Sequence, residues 1–225
     1  MSLRILAFLF FAFAFEIAFF TAAPSAGFVA NDVSGLNRDN HVAMGQATAE
    51  QIQAASKAHA HAHDFDYLLG DWEFTAVNRD GKFRGLWSAV RLADTGQILD
   101  EFRVLGDNGD TYYVSTTLRA YNGILDEWEL VSVDHRGTGL TQIGTGHRVG
   151  AEMHIEQKFG FGTTKAWISR IRYYDIQSDR FSWNADRSLD NGKTWIKDFQ
   201  QIEAHRIGPP RALDPLARAK KATRT

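Results

Sequence analysis

Phe65-Asp66-Tyr67-Leu68-Leu69-Gly70-Asp71-Trp72 is the stretch on which the fold of this chain turns. Phe65 to Leu69 is too short and too apolar for an exposed loop, and a single turn there would bury Phe65, Leu68 and Leu69 as a plug. Gly70-x-Trp72 then opens the first of many short alternating segments. Working outward, strands are expected at Trp72–Val77, Phe83–Leu92, Ile98–Leu105, Thr111–Tyr121, Trp128–Asp134, about Leu140–Arg148, Met153–Phe159, Lys165–Tyr174, Arg180–Arg187 and Lys193–Ala204. Turns such as Asn78-Arg79-Asp80-Gly81 and Gly106-Asp107-Asn108-Gly109 join them as hairpins. Consecutive hairpins favour an up-and-down meander, and closure removes its edges. The expected fold is all-β: a closed antiparallel up-and-down barrel of about ten strands, with a short N-terminal helix and plug.

The 225 residues give room for one ordinary domain plus ends. Hydrophobic residues make up 44% and charged residues 23%, enough to bury a core. The net charge of -2 argues against a nucleic-acid partner, which would need a basic excess. There is no cysteine, so neither a disulfide nor a lipoprotein anchor is available and the core must hold the fold unaided.

Residues 1–26 read as a secretory signal. Arg4 supplies the positive start, Ile5 to Phe20 is almost wholly apolar, and small residues follow through Ala26. Glu16 inside the apolar run counts more against a permanent span than against a transient signal. Export to the periplasm or beyond is expected, with membrane attachment only if this segment stays uncleaved. Residues 27–63 read as a linker and a short helix. Thr48-Ala49-Glu50-Gln51 has capping-box form, and the helix should run to about Ala60, leaning on the barrel through a thin apolar face (Ile52, Ala55). The barrel is assigned to residues 64–206. A basic tail, a short helix at most, is assigned to 207–225.

Gly70-Asp71-Trp72 resembles the Gly-x-Trp with which lipocalins and other calycins begin their first strand. The resemblance implies a basic residue past the last strand stacking on the tryptophan, and Arg206 stands in that place. Phe65 to Trp72, Leu118-Arg119-Ala120-Tyr121-Asn122 and Ser188 to Trp195 together are similar to a bacterial exported calycin-like domain family of unknown function. That likeness implies a fold and no activity. Ser188-x-Asp190-x-Gly192-x-Thr194-Trp195 is also similar to the Asp-box of sialidases. A single copy in so short a chain reads as a stabilised hairpin: Asp190 bonding turn amides, Gly192 at positive φ, Trp195 packing beneath. Some calycin-like barrels hold haem through one histidine. His147, His154 and His205 are the strand-region candidates, but the glycine-rich signature of haem-binding nitrobindins is absent, and no cofactor is expected.

The function implied is binding of a small apolar or amphipathic molecule. The alternatives are an enzyme of the same fold doing acid–base isomerase, hydratase or lyase chemistry, and a barrel filled by its own side chains. Glu101 and Arg103 share one face of the third strand with Leu99 and Leu105, while Ile98, Phe102 and Val104 share the other. Arg170 and Arg172 share a face of the eighth with Ile168, opposite Trp167, Ile171 and Tyr173. Either face could point inward, and the larger apolar sets are the simpler choice. If the charged faces line a cavity, Glu101, Arg103 and Arg170 would orient a polar head group, with Trp87 and Trp183 as aromatic wall. No catalytic residue is assigned. His154, Glu156 and Lys158 read as a solvent face, and Asp134-His135 as a rim pair whose side chains diverge. His59, His61 and His63 alternate before the plug. They lack a rigid third ligand beyond Asp64, so no metal site is assigned.

Overall fold

A computed structural model describes residues 47–92, 96–140 and 142–213. The segment read as a signal, most of the segment read as a linker and the last twelve positions of the assigned tail lie outside the described residues.

Helix α1 (Ala49–Ala60) starts as its sequence dictates. Gln51 N donates to Thr48 Oγ1 at 3.2 Å, and Thr48 N donates to Gln51 Oε1 at 2.9 Å. The helix does not dock through Ile52, which is 60% exposed. Its backbone comes against the barrel at Ala54, whose carbonyl would lie 2.0 Å from a Cβ on Gly123. The absence of a side chain at Gly123 is what permits that approach. A 3₁₀ turn, Asp66–Leu68, follows as the plug.

Ten antiparallel strands then form the wall: β1 (Gly70–Asn78), β2 (Gly81–Leu92), β3 (Ile98–Leu105), β4 (Thr111–Asn122), β5 (Glu127–Asp134), β6 (Gln142–Val149), β7 (Glu152–Phe159), β8 (Trp167–Tyr174), β9 (Arg180–Ser188) and β10 (Ile196–Gly208). Each pairs with its sequence neighbours, and β1 pairs with both β2 and β10, which closes the barrel. The alternation that marked these segments is the alternation of burial. In β1, Trp72, Phe74 and Ala76 are buried while Glu73, Thr75 and Val77 are exposed.

Two features lay beyond the sequence reading. The tail is not helical where it is described: Ala212–Leu213 forms β11, parallel to Arg91–Leu92 of β2. β1 begins opposite Ala89, so the end of β2 overhangs it, and β11 pairs with that overhang. Arg211 locks the strand by donating to Asp71 Oδ2 at 2.5 Å and to Ser88 Oγ at 2.7 Å. In β10 a bulge between Ile196 and Gln200 sets Asp198 at φ +47°.

One barrel end is sealed. Trp72 is fully buried, its indole nitrogen donating to Leu68 O at 2.8 Å. The Arg206 guanidinium lies 4.0 Å from the Trp72 ring centroid and donates to the Leu69, Tyr67 and Ser178 carbonyls. Arg91 holds the same plug through the Ala62 carbonyl and Asp66. The plug side chains complete an aromatic core, with Phe65 edge-on to Trp128 at 4.8 Å and Trp72 edge-on to Phe181 at 4.8 Å. Each such buried ring contributes about 1.5 to 3 kcal/mol by burial. The opposite end carries the loops after β5, β7 and β9.

Candidate functional site: the barrel interior

The interior has a charged floor. On β3 the inward row is Ile98, Asp100, Phe102 and Val104, and on β4 it includes Ser115, Thr117, Arg119 and Tyr121. Asp100 and Arg119 are 2% and 3% exposed. Arg119 Nε donates to Asp100 Oδ2 at 2.7 Å, and Trp87 Nε1 donates to Asp100 Oδ1 at 2.9 Å. The guanidinium also lies 5.0 Å over the Phe65 ring. Burial alone would lower the Arg119 pKa, but the charge and hydrogen bond of Asp100 act against it and the pKa is raised. Burial drives the Tyr67 and Tyr173 pKa values above the phenol's ordinary range, so both stay protonated. Tyr67 Oη and Arg119 Nη1 are buried without a hydrogen-bond partner.

Above this floor the two sides of the interior differ. Phe74, Phe102 and Trp87 form an aromatic wall, with Phe74 stacked on Phe102 at 4.7 Å and Trp87 edge-on to Phe102 at 5.2 Å. Gly85, directly opposite Phe74, leaves room for that ring and for the β3 backbone: a Cβ there would lie 2.0 Å from Arg103 O and 2.4 Å from Phe74 Cζ. The other side is hydroxyl and amide. Thr117 and Ser132 hydroxyls lie 2.9 Å apart, and Gln157 Nε2 donates to Ser132 Oγ at 3.3 Å. Gln142 and Ser169 are buried beside them. Towards the open end, Phe83, Phe102, Val104, Ser115 and Trp183 point inward yet remain partly exposed, so solvent reaches the interior from that side.

Arg187 completes this end. It follows Phe181, Trp183 and Ala185 on the inward row of β9, and its guanidinium lies 4.1 Å from the Trp167 ring and 4.8 Å from Phe199. Its Nε is buried without a partner, and burial lowers its pKa.

Of the residues nominated from sequence, the structure places Trp87 and Trp183 inside and the charged three outside. Glu101 and Arg103 face the outer surface and pair with each other, Nη2 to Oε1 at 2.5 Å. Arg170 is exposed on the outer wall, 4.0 Å over the Trp195 ring and 3.4 Å from Glu156. The larger apolar sets are the ones that point inward, because water solvates a guanidinium more cheaply than any wall of leucines. Asp100, Arg119 and Arg187 were missed. A signal existed: Asp100 is the lone carboxylate in the apolar row Ile98, Phe102 and Val104, and a charge in the wrong alternation phase marks a buried partner.

Two of the alternating histidines, His61 and His63, serve the plug. His61 Nδ1 pairs with Asp64 at 2.7 Å and its ring stacks on Tyr121 at 4.2 Å, while His63 pairs with Asp66 at 2.8 Å. Asp64 also accepts from Trp128 Nε1 at 3.2 Å. Among the described residues no group of three histidine or acidic side chains gathers around a common point. His147 and His205 are exposed and His154 pairs with Glu152 at 2.7 Å, all on the outer surface. An open groove of about 560 Å³ crosses the outer wall of β6 to β10. Its charges largely satisfy one another, as Lys197 with Asp186 at 2.6 Å and Arg170 with Glu156. Neither known family models nor curated proteins give a match to this chain.

Proposed function

We propose that this chain is an exported calycin-like barrel that binds a small lipophilic or amphipathic molecule in the open half of its interior. The observation that carries the reading is the set of inward aromatic and aliphatic side chains at the open end that stay partly exposed. A ten-stranded barrel is wider than the eight-stranded barrels that hold one small ligand. One wall of this interior carries the small side chains of Ser115, Thr117, Ser132 and Ser169 and the bare backbone of Gly144. An apolar wall facing a hydroxyl wall suits a molecule with one greasy and one polar side.

Binding is favoured over catalysis because the one carboxylate on the floor is fully engaged. Both Asp100 oxygens accept hydrogen bonds, from Arg119 and from Trp87, so its charge is committed to a buried ion pair and stabilised as the carboxylate rather than poised as a base. The export part of the proposal rests on residues 1–26, and the Gly70-Asp71-Trp72 start with Arg206 supports calycin kinship and the likeness to the bacterial exported family. The proposal includes no nucleic-acid partner and no cofactor.

The neutral fluorescent probe N-phenyl-1-naphthylamine tests the binding. It should bind the purified protein with enhanced, blue-shifted emission, and Ser115→Trp, which fills the open end, should abolish this without lowering the melting temperature. Native mass spectrometry of freshly purified protein should show a retained small molecule. No probe binding to the wild type would overturn the reading. N-terminal sequencing of the mature protein should find a start between about positions 23 and 30. Intact Met1 on a cytoplasmic protein would remove the export part.

A further inference from the structure

We infer that the open end carries an anion subsite built on Arg187, so that the molecule bound there bears a carboxylate on an aromatic or apolar body. This rests on the binding reading above and names the class of its ligand.

Arg187 is unlike the other interior arginine. Arg119 has Asp100 as counterion at 2.7 Å. Arg187 has no ion pair among the described residues, and its Nε donates to nothing. Asp186, its neighbour in sequence, points to the outer wall and is taken by Lys197 Nζ at 2.6 Å and the Asp198 amide at 3.0 Å. Asp134, at the same barrel end, is held by its own Arg136 at 2.5 Å. The guanidinium carbon lies over the Trp167 ring at 4.1 Å and over the Phe199 ring at 4.8 Å, and a guanidinium held by stacking donates from its edge. Trp167 is itself backed by Phe159, parallel at 3.9 Å, so the cation is part of a rigid stack rather than a free surface side chain.

Arg170 shows the contrast. It stacks on Trp195 in the same manner, but on the outer wall and with Glu156 as counterion. Stacking alone therefore does not make a site. At Arg187 stacking is combined with an inward direction, a desolvated donor and the lack of a carboxylate. A two-oxygen anion can take the two parallel N–H groups of such an edge. The hydroxyls and amides of Ser169 and Gln157, in register on β8 and β7, extend the polar side towards it.

The test displaces bound N-phenyl-1-naphthylamine with a matched pair, 2-naphthylacetate and 2-(2-naphthyl)ethanol. The acid should compete at least about tenfold better than the alcohol at low salt, with the advantage shrinking as salt is added. Arg187→Met should erase the preference while the alcohol's affinity stays within about threefold. Arg187→Lys should keep part of it, and serves as the folded reference should the methionine variant prove unstable. Equal displacement by both compounds in the wild type, or a preference that survives Arg187→Met, would overturn the anion subsite and leave the binding reading intact. Failure of the fluorescent probe itself to bind would overturn both.

Discussion

At the residue scale the Asp100–Arg119 pair is the most consequential feature. Two ions removed from water repay desolvation only while both are present, so breaking the pair costs about 3 to 5 kcal/mol. Asp100→Ala should lower the unfolding free energy by about that much in denaturant melts. The double variant Asp100→Leu/Arg119→Met should recover much of the loss, because no charge is then left unpaired. Equal losses in the single and double variants would mean that the pair is not coupled. The buried phenols set the alkaline limit. Tyr67 and Tyr173 have folded pKa values raised above the ordinary 10.0. The unfolded chain therefore releases these protons first as pH rises, and stability present below about pH 10 is lost above it. Tyr173→Phe should flatten that decline in a pH series of thermal melts. The pair was hard to read from sequence because Asp100 and Arg119 lie on different strands. Their meeting depends on the register of β3 against β4, which alternation alone leaves open.

At the element scale the plug and the last strand act as one closure. Trp72→Ala removes a fully buried indole and should cost about 3 to 5 kcal/mol. Arg206→Ala loses a cation–aromatic contact and strands carbonyls of the plug, so about 1 to 3 kcal/mol is expected. Denaturant melts that rank the two the other way would show that the plug, more than the tryptophan, holds this end. The turn after β9 is a second self-contained element. Thr194 N and Oγ1 donate to Asp190 at 2.8 and 2.6 Å, and Gly192 takes φ +87°. These donors hold the Asp190 carboxyl at about 2, against an ordinary 3.8. A depressed folded pKa means that the turn's stabilisation is complete above the ordinary value and is lost as pH falls towards about 2. Protection of the Thr194 amide, followed by hydrogen exchange from pH 5 downward, should collapse in that window. Such local elements were legible because their donors and acceptors lie within a few residues. The capping box at Thr48 and Gln51 and the turn at Asp190 both formed as their spacing predicted. β11 was not legible, because two residues pairing with an overhang leave no periodic signature.

At the scale of the whole molecule, closure joins parts remote in sequence. Arg206 bonds the carbonyl of Leu69, 137 positions away. Contacts of that separation form after the large loop entropy has been met, which places β1–β10 pairing late. Folding should take milliseconds to seconds. Ile202→Val, on the closing strand, should cost about 0.5 to 1.5 kcal/mol and act mainly by speeding unfolding. Stopped-flow chevrons would check this, and a slowed folding limb with an unchanged unfolding limb would place closure early instead.

What the sequence by itself determined is whatever depends on period and short spacing: all-β class, ten strands within a few residues, the helix cap, the plug and the tryptophan that seals it. Backbone hydrogen bonding and the alternation of side chains leave little freedom once Gly and Asp mark the turns. Which face points inward, and hence which charges are buried, was decided only by the tertiary structure. A strand with apolar residues on both faces has two self-consistent orientations. Closure with nine other strands selects the one that leaves Glu101, Arg103 and Arg170 in water and commits Asp100 and Arg119 to the interior, because burying a charge is tolerable only where partners from other strands converge on it, while Arg187 stays half-buried against aromatic rings at the open end.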